Sequence, residues 1–396
     1  GGGAYTEDAQ RLKDSYTSQC MTLNVPPVAP LMDFFDRCIG QGESPAIIEL
    51  KGNRRELFHK RLQDHDVQAV VAALQASQHS LITALVFSWN NIGDEGCMAL
   101  ADWLKTDGQI NRLDLSFNNI GEEGGKAIAD ALCTNKSLAH LAMTGNKVGD
   151  KGGLALAQML SVNTTLKTAD LANMELGHQT LTMMGIALAR NSTLLVLNLD
   201  RPSLFSRQEE AVEHVAMGLR ANQSLRSLSL RNASLRDRGC FLLCDNLVLN
   251  HSLTELDLSS NKLTEDAGPA LAQLVESNEV ISKLHLANNE LCDRGCTALS
   301  HSLSSNAGLT DLDIAYNKID NDGLLQLASA ISKHGFLTRL TAWGNLIKPQ
   351  STAALAYACQ QIRSLKNTDI RVQVVDDVPN AVRKVTPEST FQPGLA

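Results

Sequence analysis

The sequence predicts an α/β solenoid: a right-handed horseshoe of about 11 strand–helix units of 28 residues, with a parallel sheet on the concave face and helices on the convex face. Three observations predict it. One pattern of aliphatic residues recurs every 28 residues for most of the chain. A polar position, usually Asn, recurs with it. Leu supplies 60 of 396 residues whereas Phe, Tyr and Trp together supply 16, so the core is a lattice of Leu rather than a cluster of rings.

The elements follow in chain order. Residues 5–22 have helical character, Pro26, Pro27 and Pro30 break the chain, and Leu31 to Phe35 follow. Residues 1–44 are assigned as an N-terminal helical cap, which an open-ended stack requires to cover its first apolar face. Ile48, Leu50 and Asn53 form a partial first copy of the repeat, and the solenoid is assigned to residues 45–365. A full copy is Ile110, Leu113, Leu115, Asn118 and Ile120. It returns as Leu138, Leu141, Met143, Asn146 and Val148, and again as Leu253, Leu256, Leu258, Asn261 and Leu263. The ladder position reads Asn53, Asn90, Asn118, Asn146, Met174, Pro202, Ala233, Asn261, Asn289, Asn317 and Asn345. Its steps are 28 apart from a first step of 37 and one of 31. This is a leucine-rich-repeat solenoid.

Within a unit, Leu-x-Leu is a short strand with both Leu facing inward, and the ladder Asn turns in to satisfy backbone groups between strand and helix. Gly96, Gly124, Gly152, Gly239, Gly295 and Gly323 recur six residues later, which suits tight helix entry or close packing. Asn135, Asn163, Asn191, Asn222 and Asn250 recur near helix ends, where Asn tolerates a left-handed stop. Each of these five also opens an Asn-x-Ser/Thr sequon, which the repeat consensus Asn-x-Ser-Leu generates at its own period. The pattern breaks at Met174, Pro202 and Ala233, which reads as drift in a tolerant region or, alternatively, as Ser203 to Glu210 forming an inserted rim loop that touches a partner. Residues 353–365 read as a final helix and Ile370 to Val375 as a strand that pairs with the sheet edge. Residues 386–396 read as a flexible tail, within a terminal segment of 366–396.

Composition narrows function by exclusion. A net charge of −8 and a pI near 5.7 disfavour nucleic acid, whose phosphates call for clustered cations. No apolar run reaches the roughly 18 residues of a membrane span, and no basic-then-apolar leader is visible at Gly1. Nine Cys without framework spacing fit a reducing compartment. Cys240 and Cys244, four apart, lack the second ligand pair of a metal site and read as buried thiols. The cationic run Lys51, Arg54, Arg55, His59, Lys60 and Arg61 reads as a solvated cap. No phosphate loop, metal-spaced His set or nucleophile elbow occurs, so neither a catalytic residue, a cofactor nor a small-molecule substrate is assigned.

The candidate site is the outward face of the strands. Four residues before the ladder lie Asp114, Asp170, Asp257, His285 and Asp313, a sparse acidic column. Just before the ladder lie Trp89, Phe117, Arg201 and Tyr316, with Arg231 and Trp343 one residue earlier. Exposed aromatics are typical binding anchors, so these residues are the candidate contacts for a protein partner.

The 28-residue unit resembles the ribonuclease-inhibitor-like subclass of leucine-rich repeats. Glu56 to Val67, Arg201 to Glu210, Trp343 to Asn345 and Asn367 to Val375 lie where the repeat rule does not dictate the residue and resemble a narrower group within it. That resemblance spans roughly residues 45–385 and implies a non-enzymatic, intracellular interaction protein, cytoplasmic, nuclear or nucleolar, or ciliary. The reading is a scaffold that binds a protein on its concave face. Two alternatives stand beside it. One is a structural component of an axoneme. The other is a GTPase-activating regulator, although residues 366–396 hold four basic and four acidic residues rather than a strongly acidic extension.

Overall fold

A computed structural model describes residues 2–79, 81–204, 210–362 and 365–384. The chain divides into two compact units, residues 1–187 and 188–395.

The first unit opens with helices α1 (Gly2–Leu23) and α2 (Ala29–Gln41). Alternating strands and helices follow: β1 (Ile47–Glu49), α3 (Asp64–Ser77), β2 (Ala84–Val86), α4 (Asp94–Leu104), β3 (Arg112–Asp114) and α5 (Glu122–Thr134). Then come β4 (His140–Ala142), α6 (Gly149–Leu160), β5 (Thr168–Asp170) and α7 (His178–Arg190), whose last turn enters the second unit. Strands β1 to β5 are parallel neighbours, and Leu85, Leu113, Leu141 and Ala169 stand in register across them. Each of these four is at most 2% exposed. Tyr16, Phe35, Leu12 and Leu31 give the opening helices a core of their own, and α1 lies against α3, where the Ser15 hydroxyl donates to the Ala73 carbonyl at 3.1 Å.

The second unit continues the alternation with β6 (Val196–Asn198), α8 (Glu210–Ala221), β7 (Ser227–Ser229), α9 (Arg236–Leu247), β8 (Glu255–Asp257) and α10 (Gly268–Ser277). After them come β9 (Lys283–His285), α11 (Cys292–Leu303), β10 (Asp311–Asp313), α12 (Asn321–His334), β11 (Arg339–Thr341) and α13 (Pro349–Gln361). Leu197, Leu228, Leu256, Leu284, Leu312 and Leu340 form its register line. A strand of two residues, β12 (Asn367–Thr368), pairs parallel with β11 and closes this end of the sheet. The expectation for Ile370 to Val375 is therefore corrected. That segment is a strand, β13 (Ile370–Val375), but it pairs antiparallel with β14 (Val378–Arg383) instead of the sheet edge. The proposed rim loop falls mostly on residues 205–209, outside the described residues, as does the tail of 386–396.

Three side-chain ladders tie neighbouring repeats. At the ladder position Asn118 donates to the Phe87 and Leu115 carbonyls, both at 2.9 Å, and accepts from the Ile92 N–H at 3.0 Å. Met174 and Ala233 replace this amide with fully buried apolar side chains. The second ladder is the Asn set near the helix ends, and its expected left-handed geometry is not what it shows. Asn135 is extended (φ −61°, ψ 136°). Its oxygen accepts from the Ser137 and Leu138 N–H groups at 3.0 and 2.8 Å, and its amide donates back to the Leu104 carbonyl at 2.7 Å. Asn278 and Asn306 repeat these bonds without carrying a sequon.

The third ladder joins helix starts. Asp94 opens α4 and accepts from the Gly121 and Gly124 N–H groups at the start of α5, at 2.7 and 2.9 Å. Asp150, Asp237 and Asp293 do the same one repeat on. This explains the Gly at 96, 124 and 323. A Cβ on Gly124 would stand 2.7 Å from Asp94 Oδ1 and 2.6 Å from Ile120 Cγ2, so close packing is the requirement and backbone freedom is not.

Candidate partner-binding face

The residue just before the ladder turns the chain out of its strand, and it does so in the left-handed region. Trp89 (φ 64°), Phe117 (φ 56°), Gly145, Asn173, Arg201, Asn232, Ser260, Asn288, Tyr316 (φ 54°) and Gly344 all share that conformation. Gly and Asn fit it at little cost, whereas a bulky side chain there costs about 1 kcal/mol. Trp89, Phe117 and Tyr316 are thus held where their own backbone would prefer another residue. Sequence periodicity located them but did not reveal this strain.

In the first unit the Trp89 and Phe117 rings stack, with centroids 4.0 Å apart and planes 16° off parallel, and both remain more than a third exposed. The far face of Phe117 lies on Gly145, where a Cβ would stand 2.5 Å from the ring. Tyr316, 47% exposed, lies the same way on Gly344, where a Cβ would stand 2.2 Å from its ring. Half-buried Trp343 adjoins Gly344, and its carbonyl accepts the Tyr316 N–H at 2.9 Å. An aromatic followed 28 residues later by Gly was the readable signal for these ring seats.

The acidic column has a structural cause the sequence did not disclose. Asp114, Asp257 and Asp313 each accept the N–H two residues onward, from Ser116, Ser259 and Ala315 at 2.9, 2.9 and 3.0 Å. The carboxylates thereby satisfy the backbone where the strand ends. Asp170, half-buried, accepts from the Thr144 hydroxyl.

In the second unit these side chains converge. The expectation of open, solvent-facing groups is corrected at Asp257 and His285, which are 4% and 7% exposed. They are covered by each other's neighbours: Arg231 Nε lies 3.7 Å from Asp257, and Glu255 Oε1 lies 3.1 Å from His285 Nε2. Arg231 and Arg201 themselves are exposed. Burial pushes Asp313 up to about 6, against the Ala315 N–H and His285 and with help from Asp257 and Asp369. Burial also raises Asp200 to about 6, although the Ser229 hydroxyl and Arg231 N–H both donate to it. For His285 burial acts downward, but the bond to Glu255 and the charges of Asp257 and Asp313 outweigh it and raise its value. The same bond from His285 holds Glu255 low. Asp200, Glu255 and Asp369 belong to this cluster and were missed, because their positions relative to the ladder differ.

Among the described residues no group of three or more His, Cys, Asp or Glu is arranged to hold a metal ion, and no helix is long and apolar enough to cross a membrane. Cys240 and Cys244 are buried in α9 with their sulfurs 3.8 Å apart.

The leucine-rich-repeat family pattern matches residues 78–101, 110–129, 134–157, 249–272 and 305–328. No curated protein matches the chain. Among solved structures, an internalin from Listeria monocytogenes is similar at 17% identity and a TM-score of 0.45, over 83% of this chain and 87% of that one. The tropomodulin C-terminal domain of Caenorhabditis elegans is similar at 11% identity and a TM-score of 0.34, over 39% and 92%. Actin-binding site 2 of leiomodin-1 is similar at 18% identity and a TM-score of 0.32, over 40% and 92%.

Proposed function

We propose that this chain is a non-catalytic scaffold whose strand face binds a protein segment. Trp89 and Phe117 are the ring anchors of the first unit, and Tyr316 and Trp343 those of the second. The observation that carries this reading is the backbone conformation of the aromatics. Sister repeats place Gly, Asn, Ser260 or Arg201 at the same turn, so the fold does not select a ring there, and a strained aromatic is a pointer to function. Around the anchors, Asp114 and Asp170 in the first unit and Arg201, Arg231 and Asp313 in the second supply polar contacts. Asp257 and His285 act from beneath, Asp257 facing Arg231 and His285 fixing Glu255. Six of the nine free cysteines are buried thiols, which suits a reducing cytoplasmic or nuclear setting.

The test is partner recovery from the source cell with the full chain and two variants, Trp89→Gly/Phe117→Gly and Tyr316→Gly/Trp343→Ala. Gly relieves the left-handed strain, so melting temperature should hold while recovery falls about tenfold, the effect of losing an interface anchor. Undiminished recovery by both variants would remove the aromatic-anchor assignment.

A further inference from the structure

The hairpin formed by β13 and β14 is a sheet of two strands. A two-stranded sheet is marginal in water without further strands or packing. Here both strands touch α13, β14 more extensively, while Val372, Val374, Val375 and Val378 are all exposed, Val374 at 64%. Asp376 and Asp377, both at positive φ, make the two-residue turn.

That turn fixes which backbone groups face which way. The flanking pair Val375/Val378 exchanges both its hydrogen bonds, and every second pair does likewise. The bond from the Lys384 N–H to the Asp369 carbonyl, 2.7 Å, falls on the same alternation and fixes its phase. Arg371 and Gln373 therefore turn their backbone groups toward β14, and Ile370, Val372 and Val374 turn theirs outward. The Ile370 N–H is taken by the Thr368 hydroxyl at 3.3 Å. Val372 and Val374 remain, each presenting an outward N–H and C=O with no partner among the described residues. On β14 the outward set includes Pro379, which has no N–H, so that edge is blunted.

We propose that the open edge of β13 pairs with β13 of a second copy of this chain, antiparallel and about a two-fold axis near Gln373, to give a four-stranded sheet. Val372 then faces Val374 of the partner subunit, and the reciprocal pair doubles the bonds. Charge selects this occupant and this direction. The hairpin has an acidic tip, Asp376 and Asp377, and a basic base, Arg371, Arg383 and Lys384. Antiparallel pairing sets each tip beside the other copy's base, whereas parallel pairing would set like charges together. An unpaired, valine-rich edge is otherwise a site of uncontrolled association.

Sedimentation equilibrium of the full 42.8 kDa chain over a range of concentrations tests this. The wild type should give a reversible monomer–dimer equilibrium. Val374→Pro deletes one outward N–H and no bond to β14, so it should be monomeric with unchanged circular dichroism. Asp376→Asn/Asp377→Asn keeps residues suited to positive φ, removes the acidic tip, and should weaken the dimer by about tenfold, the worth of a few cross-strand charge pairs. It should also flatten the salt dependence. A wild type that stays monomeric, a higher oligomer, or a dimer untouched by both variants would each overturn the proposal. So would a chain that recruits another protein's strand to this edge while remaining monomeric itself.

Discussion

Asn261, fully buried, bonds three backbone groups of two consecutive repeats: it donates to the Leu230 and Leu258 carbonyls and accepts from the Ala233 N–H. Replacing it by Ala leaves those buried backbone groups without their amide partner. The expected cost is about 3 kcal/mol, measured by denaturant unfolding of Asn261→Ala against the wild type. Met174 shows that a repeat survives without the amide when a large apolar side chain fills the space. This residue was legible because its period is its signal. Its counterpart at Asn135 was legible as a period but not as a geometry, since the sequence carries no φ. The bonds from the Ser137 and Leu138 N–H groups to the Asn135 oxygen show that it organises the turn ahead instead of stopping the helix behind. The ring seats were half legible for the same reason: Trp89 and Phe117 stood out by type, and the left-handed backbone beneath them did not.

The starts of α4, α5, α7 and α12 are each held by a carboxylate from the helix before, and two glycines separate what packing demands from what propensity favours. Gly124→Ala gains helix propensity of about 1 kcal/mol. It also drives a methyl into Asp94 and Ile120, and overpacking of that kind costs about 1–3 kcal/mol. The clash involves a side chain already tied to two backbone N–H groups, so the net effect is a loss of stability. Gly40 lies in α2 with no atom within 4 Å of a Cβ, so Gly40→Ala should stabilise by about 0.5–1 kcal/mol. Thermal melts of the two variants should move in opposite directions, and a shared direction would discount the packing argument. Strands were legible where alternation met a long enough segment, as in Ile370 to Val375. The partner of that segment was not, because two residues, Asn367 and Thr368, are too few to announce a strand and they take the edge first.

Across the molecule, the pH response should be dominated by the second unit's cluster. Asp200 and Asp313 sit near 6 in the fold against 3.8 when unfolded, so between those values the native state keeps protons the unfolded chain has released. The stability they contribute is present in full below 3.8 and lost as pH rises through about 6. His285, raised above 6.5, adds to the loss as pH rises through its native value. Glu255, lowered from 4.5, opposes only on acidification. Unfolding free energy should therefore fall by about 2 kcal/mol from pH 5 to pH 8, and Asp200→Asn/Asp313→Asn should flatten that slope. A slope unchanged in the double variant would place the linkage elsewhere. The fold class was legible from the repeat alone. The cluster was not, because burial at Asp257 and His285 is decided by side chains one repeat away, and the period gives their positions without saying which of them lean across.

The second Asn ladder bears on where in a cell this chain can fold at all. Asn135, Asn163, Asn191, Asn222 and Asn250 lie in sequons, and all five are at most 7% exposed. The amide nitrogens of Asn135, Asn163, Asn222 and Asn250 donate to carbonyls of the preceding repeat. A glycan is joined through that same nitrogen and is added as the chain emerges, before repeats can stack. Routed into the secretory pathway behind an added leader, the chain should acquire sugar at its own packing positions and remain misfolded. Glycosidase-sensitive mobility together with loss of the compact, protease-resistant form would report this outcome. Substituting the hydroxyl residues Ser137, Thr165, Thr193, Ser224 and Ser252 with Ala would keep the five packing amides and restore folding there, with sugar confined to the exposed sequon Asn232-Ala233-Ser234.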